Sequence, residues 1–240
     1  MKKLLSVILC LLMTFGLVAC GDSNGQTNND SSTPAVTEPE TSAPNENKNT
    51  SDTSETSESQ PEEPVNNKTL VVFFSMPDNV DDSTVIIDGE TLGNTQYMAY
   101  VIQENIGADI FRIEPETPYP TDHQTLVDQA KEEQNNDSRP VIKDTIENFD
   151  SYDTVFIGYP IWWSDLPMVM YTFFDTYDFS GKTIVPFSTH GGSSFAGTPA
   201  TIAELEPEAA VADGMTISRD VIQNAEQDII DWLTEAGYTQ

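Results

Sequence analysis

Residues 70–74 read Leu-Val-Val-Phe-Phe and residues 154–159 read Thr-Val-Phe-Ile-Gly-Tyr, with no polar–apolar alternation in either run. A strand with one wet face alternates; an unbroken apolar run belongs to a strand covered on both faces, as in a parallel sheet between helical layers. Residues 183–188 continue the series, although Pro186 lacks an amide donor and implies a strand end or bulge there. Residues 109–114 form a shorter candidate with Arg112 in the middle, which suits a sheet edge, and residues 210–217 a weaker fifth. Helical signals separate them. Asn94 or Thr95 caps a helix with Met98, Val101 and Ile102 on one face and Gly107 past its end. Thr121 and Gln124 read as a capping box for a helix to about Gln134. Ser164 or Asp165 caps a third, with Pro167 in its first turn. Residues 221–235 give a last one with Ile222, Ala225, Ile229, Trp232 and Leu233 on one stripe. The alternation predicts an α/β fold, a doubly wound five-stranded parallel sheet of order 2-1-3-4-5, with ligands at the carboxyl ends of the strands.

The chain ahead of this domain is different material. In residues 1–20, Lys2 and Lys3 precede an apolar run that ends in Leu17-Val18-Ala19-Cys20, the pattern of a secretory signal. The last four residues resemble the bacterial lipobox, in which the Cys is lipidated and becomes the mature N-terminus; ordinary cleavage near Ala19, with Cys20 incidental, is the alternative. The only other cysteine, Cys10, lies inside the apolar run, so the mature chain offers no disulfide and no Cys-based metal site. Residues 21–67 are Ser, Thr, Asn, Glu and Pro with almost no large apolar side chain, too polar to fold, and read as a tether with an end-to-end reach of ~40 Å. Residues 68–240 are left as one domain. The formal net charge is −30, which disfavours nucleic acid and leaves a lipid anchor as the only expected membrane contact. The expected location is extracytoplasmic, lipid-anchored to a bacterial cell membrane.

Three loops follow the first, third and fourth strands, neighbours in the expected order. The first ends in Gly93-Asn94-Thr95 at a helix N-terminus, where amides and hydroxyls suit a phosphate. The second, Pro160-Ile161-Trp162-Trp163, offers flat aromatics. The third, Thr189-His190-Gly191-Gly192, lets backbone approach a ligand closely. Phosphate site, platform and backbone donors describe a flavin mononucleotide (FMN). Each residue also has a structural reading: the tryptophans as core, Asn94 and Thr95 as caps, Asp165 as a cap, His190 as structural, and His123 as a surface or capping residue of the second helix.

A strand, a Gly-Asn-Thr segment, Gly-Tyr-Pro-Ile-Trp-Trp and Pro-Phe-Ser-Thr-His-Gly-Gly in this order resemble the flavodoxin-like family, flavodoxin-4 type, across nearly all of residues 68–238. The resemblance implies that Ser75, Gly93, Asn94 and Thr95 hold the FMN phosphate, that Pro160, Ile161, Trp162 and Trp163 line the isoalloxazine ring, and that Thr189, His190, Gly191 and Gly192 reach its pyrimidine edge. No Lys or Arg occurs in these loops, so neutral donors and the helix dipole are expected to carry the phosphate. Two departures stand out. An acidic insertion lies between Met76 and Glu90, with Leu92 where a Thr hydroxyl is expected. Electron-carrying flavodoxins tend to place a Gly after the third strand, where a peptide flip can meet the reduced flavin; Ile161-Trp162-Trp163-Ser164 has none, and positive φ is costly for such residues. The expected function is FMN-dependent electron transfer or reduction at the outer face of the membrane, with a redox partner protein or a small quinone-like acceptor. The alternatives are a two-electron quinone-type reductase and a flavin-free binding module on the same fold. No catalytic residue is assigned beyond the candidate His190, and no metal is expected.

Overall fold

The computed structural model describes residues 68–78 and 83–239. The signal and lipobox with Cys20, and the tether, lie outside the described residues. In chain order the elements are β1 (Thr69–Phe74), β2 (Thr84–Ile87), β3 (Glu90–Gly93), α1 (Asn94–Ile106), β4 (Asp109–Ile113), α2 (His123–Asn135), β5 (Thr154–Pro160), α3 (Met168–Thr176), β6 (Thr183–His190), α4 (Thr198–Leu205), β7 (Ala210–Val211), β8 (Met215–Ser218) and α5 (Glu226–Glu235). The main sheet runs β4-β1-β5-β6-β7, all pairs parallel, with β8 also on β6. Numbered along the chain this is the expected 2-1-3-4-5, its fifth strand in two pieces. β4, with Arg112, is at an edge.

The pleat of β1 explains the apolar runs. Leu70, Val72 and Phe74 enter one core with Leu126 of α2, Met170 and Phe173 of α3, and Ile202 of α4. Val71 and Phe73 enter the other with Met98 and Ile102 of α1, and Ile229 and Leu233 of α5. With both faces covered, every position from Leu70 to Phe74 is buried and none is free to be polar.

Several local expectations are corrected. β6 continues through Pro186 to His190. Ala212 N–H donates to Ile184 O at 2.8 Å, so Pro186, two residues on, turns its missing amide to the same side, where the edge breaks between β7 and β8. The proline costs no ladder bond. The N-cap of α1 is Gly93, not Asn94 or Thr95. α2 is capped by Asp122, whose carboxylate accepts from Thr125 N–H at 3.0 Å; this charge-assisted bond displaces the Thr121–Gln124 box by one residue. α3 starts at Met168 with Pro167 at its cap, because Trp163 and Ser164 are spent in a tight turn and Asp165 accepts from Leu166 N–H at 2.8 Å. The last helix is preceded by a 3₁₀ turn, Ile222–Asn224; buried Ile222 and Ala225, the residue just past the turn, stand three apart, the spacing of that tighter helix. The insertion after β1 carries a hairpin, β2 and β3, joined by Asp88-Gly89.

Candidate functional site

The carboxyl ends of β1, β5 and β6 and the start of α1 surround one cleft of about 310 Å³, at the lower end of ligand-pocket volumes. Ser75, Asn94, Thr95, Pro160, Ile161, Trp162, Trp163, Thr189, His190 and Gly191 all line it, which brings ten sequence-predicted positions together. Gly93 and Gly192 are not in the lining and act behind it.

At the α1 end, Ser75, Asn94 and Thr95 are buried, as is Thr189. A Cβ on Gly93 would collide with Ser75 Oγ, so glycine lets the β1 loop reach the helix. Ser75 Oγ then accepts from Gln96 N–H at 3.2 Å, the role an N-cap side chain would play, and keeps its own hydroxyl proton to donate. The hydroxyls of Thr95 and Thr189 meet at 2.8 Å; two hydroxyls share one bond, so one proton of the pair remains for a ligand. Asn94 N–H donates to Ser83 O at 2.8 Å, a consequence of the inserted hairpin. The Asn94 and Gln96 amides are engaged, and the hydroxyls of Ser75, Thr95 and Thr189 add donor capacity at this end. Leu92, in place of a Thr hydroxyl, packs partly against the α1–α5 core.

The two tryptophans separate. Trp162 packs edge-to-face on Phe74 and Tyr119, both at 5.3 Å between centroids, and forms part of the cleft floor. Trp163 is 48 % exposed. Its indole N–H donates to Val127 O of α2 at 3.1 Å, and Lys131 Nζ stands 5.0 Å from its ring centroid. The turn between them is closed by Trp162 N–H to Asp165 O at 3.0 Å and Asp165 N–H to Trp162 O at 2.9 Å. Both central residues have positive φ, 50° for Trp163 and 62° for Ser164, so the loop accepts here the strain its composition argues against.

His190 is held by Gly192, whose N–H donates to Nδ1 at 2.9 Å; this leaves Nε2 as the protonated, donating nitrogen. Burial pushes its pKa below the ordinary imidazole value, against a smaller upward pull from Asp220, so the neutral donor form is favoured. The β5 and β6 loops are tied by Ile161 N–H to Thr189 O at 2.9 Å.

Sequence reasoning missed part of the lining. His123, expected at the surface or as a cap, is exposed yet borders the cleft, and Leu126, Val127 and Ala130 of α2 form an apolar wall. Leu126 and Ala130, four apart, were a legible helical stripe; what faced them was not. Arg219 enters from beyond β8, outside the three strand-end loops. Among the described residues, no group of three or more His, Cys, Asp or Glu is arranged to hold a metal ion.

A parallel sheet wound on both faces, with a cleft at the carboxyl ends of its strands where the order reverses, defines the doubly wound class of α/β proteins that bind ligands at that switch point. The chain belongs to the flavodoxin family: the flavodoxin-4 family model, described as flavodoxin, matches residues 86–236. Among solved structures it is similar to a candidate flavoprotein from Bacteroides eggerthii DSM 20697, with 31 % identity and TM-score 0.57 over 70 % of this chain and 96 % of that one. A candidate flavoprotein from Bacteroides uniformis ATCC 8492 matches at 24 % identity and TM-score 0.57 over 70 % and 97 % of the two chains. A flavoprotein from Lactobacillus acidophilus NCFM, solved in complex with FMN, shares the fold at 21 % identity and TM-score 0.50 over 69 % and 99 %. A search of curated proteins found no match.

Proposed function

We propose that the chain binds FMN in this cleft and serves electron transfer or reduction at the outer face of a bacterial membrane, tethered through lipid on Cys20. The observation that carries the FMN reading is the convergence of the α1 start, the β5 loop and the β6 loop on one cleft. The donor set fits the group. Ser75, Asn94 and Thr95 offer short neutral donors at a helix N-terminus for a phosphate. Pro160, Ile161 and Trp162 supply a flat, largely apolar wall for a ring. Thr189, His190 Nε2–H and Gly191 supply polar contacts along its edge. Bound FMN would bring the redox chemistry, and the protein would orient it, exclude water and set its electrostatics.

The test is titration of soluble apoprotein with FMN, followed by flavin and tryptophan fluorescence. Quenching of both is expected, and a colourless protein that leaves FMN fluorescence unchanged supports the flavin-free module instead. Thr95→Val, which removes a buried hydroxyl, is expected to weaken FMN binding by about 1 to 3 kcal/mol. Affinity within twofold of the parent refutes the phosphate assignment. Cys20→Ser is expected to release the protein from the membrane fraction; retention there means the apolar run is itself the anchor.

A second reading, two-electron reduction of a small quinone-like acceptor, is favoured by the apolar α2 wall of Leu126, Val127 and Ala130 beside the cleft. It requires a soluble quinone to reoxidise the reduced protein, and a Val127→Asp substitution to slow that step more than it weakens FMN binding.

A further inference from the structure

The hairpin inserted after β1 changes what the start of α1 can offer a ligand. β3 runs straight into the helix, with Gly93 ending the strand and Asn94 opening α1. Thr84 pairs with Gly93 in the antiparallel register, so Ser83 stands opposite Asn94, and Asn94 N–H donates to Ser83 O at 2.8 Å. The first amide of the helix is thereby the last rung of a β-ladder. Two neighbouring amides are also engaged by acceptors of the chain: Gly93 N–H donates to Gln96 Oε1 and Gln96 N–H to Ser75 Oγ, each at 3.2 Å. The ladder is fixed in place, because Val85, beside its closing pair, is buried in the core with Tyr97 and Met98 of α1.

A helix N-terminus binds phosphate through amides that lack a partner inside the helix. Here Gly93, Asn94 and Gln96 already have acceptors of the chain's own. For a phosphate oxygen to take the Asn94 amide, the bond to Ser83 O must break. Ser83, itself part of the cleft lining, would then turn an unsatisfied carbonyl toward an anion, acceptor against acceptor. Net charge acts in the same direction. The chain has 40 Asp plus Glu against 10 Lys plus Arg. A phosphate brings up to about two negative charges near neutral pH, and the same flavin without it brings none.

We propose that the cleft recognises flavin by its ring and takes the phosphate-free form, riboflavin, about as tightly as FMN. The proposal rests on the flavin reading above and narrows it. The hydroxyls of Ser75 and Thr95 remain as neutral donors where a phosphate is present, while Pro160, Ile161 and Trp162, with the edge from Thr189 to Gly191, hold the ring that both ligands share. The inserted hairpin is then a determinant of which flavins the site accepts.

The experiment titrates the flavin-free full chain in detergent with FMN and with riboflavin, at low and high sodium chloride, and follows the Asn94 backbone amide by NMR. The riboflavin dissociation constant is expected within about tenfold of that for FMN. FMN affinity is expected not to fall with salt, because salt screens the repulsion between an acidic chain and a phosphate rather than an attraction. The Asn94 amide is expected to keep the same shift and the same slow solvent exchange with either flavin bound. FMN tighter by more than about tenfold overturns the proposal. So does FMN affinity that falls with salt while riboflavin affinity holds, which gives the phosphate a cation, and so does an Asn94 amide shift seen with FMN alone, which gives it the amide. Failure of both flavins to bind overturns the flavin reading itself, whereas binding of FMN without riboflavin overturns only this proposal.

Discussion

Two tight turns in this protein share one backbone shape and differ in what makes it. Asp88-Gly89 joins β2 to β3 with φ of 50° and 87°; Trp163-Ser164 follows β5 with 50° and 62°. Two-residue turns with both φ values positive match the twist of antiparallel strands, and Asp-Gly is a residue pair that adopts them readily. Trp-Ser is not. A Cβ in the left-handed region costs roughly 1 to 2 kcal/mol per residue, so the second turn must be imposed from outside. Its neighbours do this: Phe74 and Tyr119 hold Trp162, Val127 O holds the Trp163 indole, and Asp165 is fixed by Tyr171, whose hydroxyl donates to Oδ1 at 3.0 Å. The first turn is written in its own residues, the second in its surroundings. Strain is greater in the turn that meets the cleft than in the hairpin turn, where Asp and Gly adopt positive φ more readily.

The largest difference between the two turns is expected at the Trp162 anchor. Trp162→Ala is expected to cost about 3 kcal/mol in urea unfolding by removing the anchor on Phe74 and Tyr119, while Ile86→Ala, 71 % exposed on the hairpin, stays within about 0.5 kcal/mol. Similar small losses for both would mean that the core does not impose the second turn. Next come substitutions of opposite sign at equivalent backbone positions. Gly89→Ala has open space around the new methyl, so its expected loss of roughly 1 to 2 kcal/mol is purely conformational. Ser164→Gly is expected to stabilise the apoprotein by about 1 kcal/mol through relief of the same penalty. If the strain serves the cleft, the stabilised Ser164→Gly protein binds FMN more weakly in the same titration; equal affinity separates strain from ligand binding. The smallest effect is expected from Trp163→Phe, which keeps a ring beside Lys131 but deletes the donor to Val127 O, at about 0.5 to 1 kcal/mol by thermal unfolding.

The main sheet was legible because buried parallel strands have no polar positions to confuse: residues 70–74 and 154–159 announce themselves. Pro186 misled because the cost of a missing amide depends on what stands opposite, and opposite Pro186 the edge strand is broken, a fact that lies some 25 residues further along the chain. The three loops were legible because strand order alone makes them neighbours. Arg219 and the α2 wall were not, since each reaches the cleft through tertiary packing rather than through a local pattern. The roles of the tryptophans were only half legible: opposite projection follows from adjacency, but which ring floors the cleft and which reaches α2 depends on Val127 and Tyr119.

The broken edge has one more effect, on how copies of the protein meet. A sheet's outermost strands are templates for recruiting strands from other molecules, the first step toward ordered aggregates. Here one margin is divided into β7 of two residues and β8 of four, too short to nucleate such a ladder. Beyond the end of β4 at the other margin, the chain doubles back on itself, with Glu116 N–H donating to Val141 O at 2.7 Å and Lys143 N–H to Glu114 O at 2.8 Å. On the β7–β8 flank another copy would find only short runs of open hydrogen-bonding groups, whereas β4 pairs with β1 alone among the described residues, and the doubled-back chain protects only the stretch past its end.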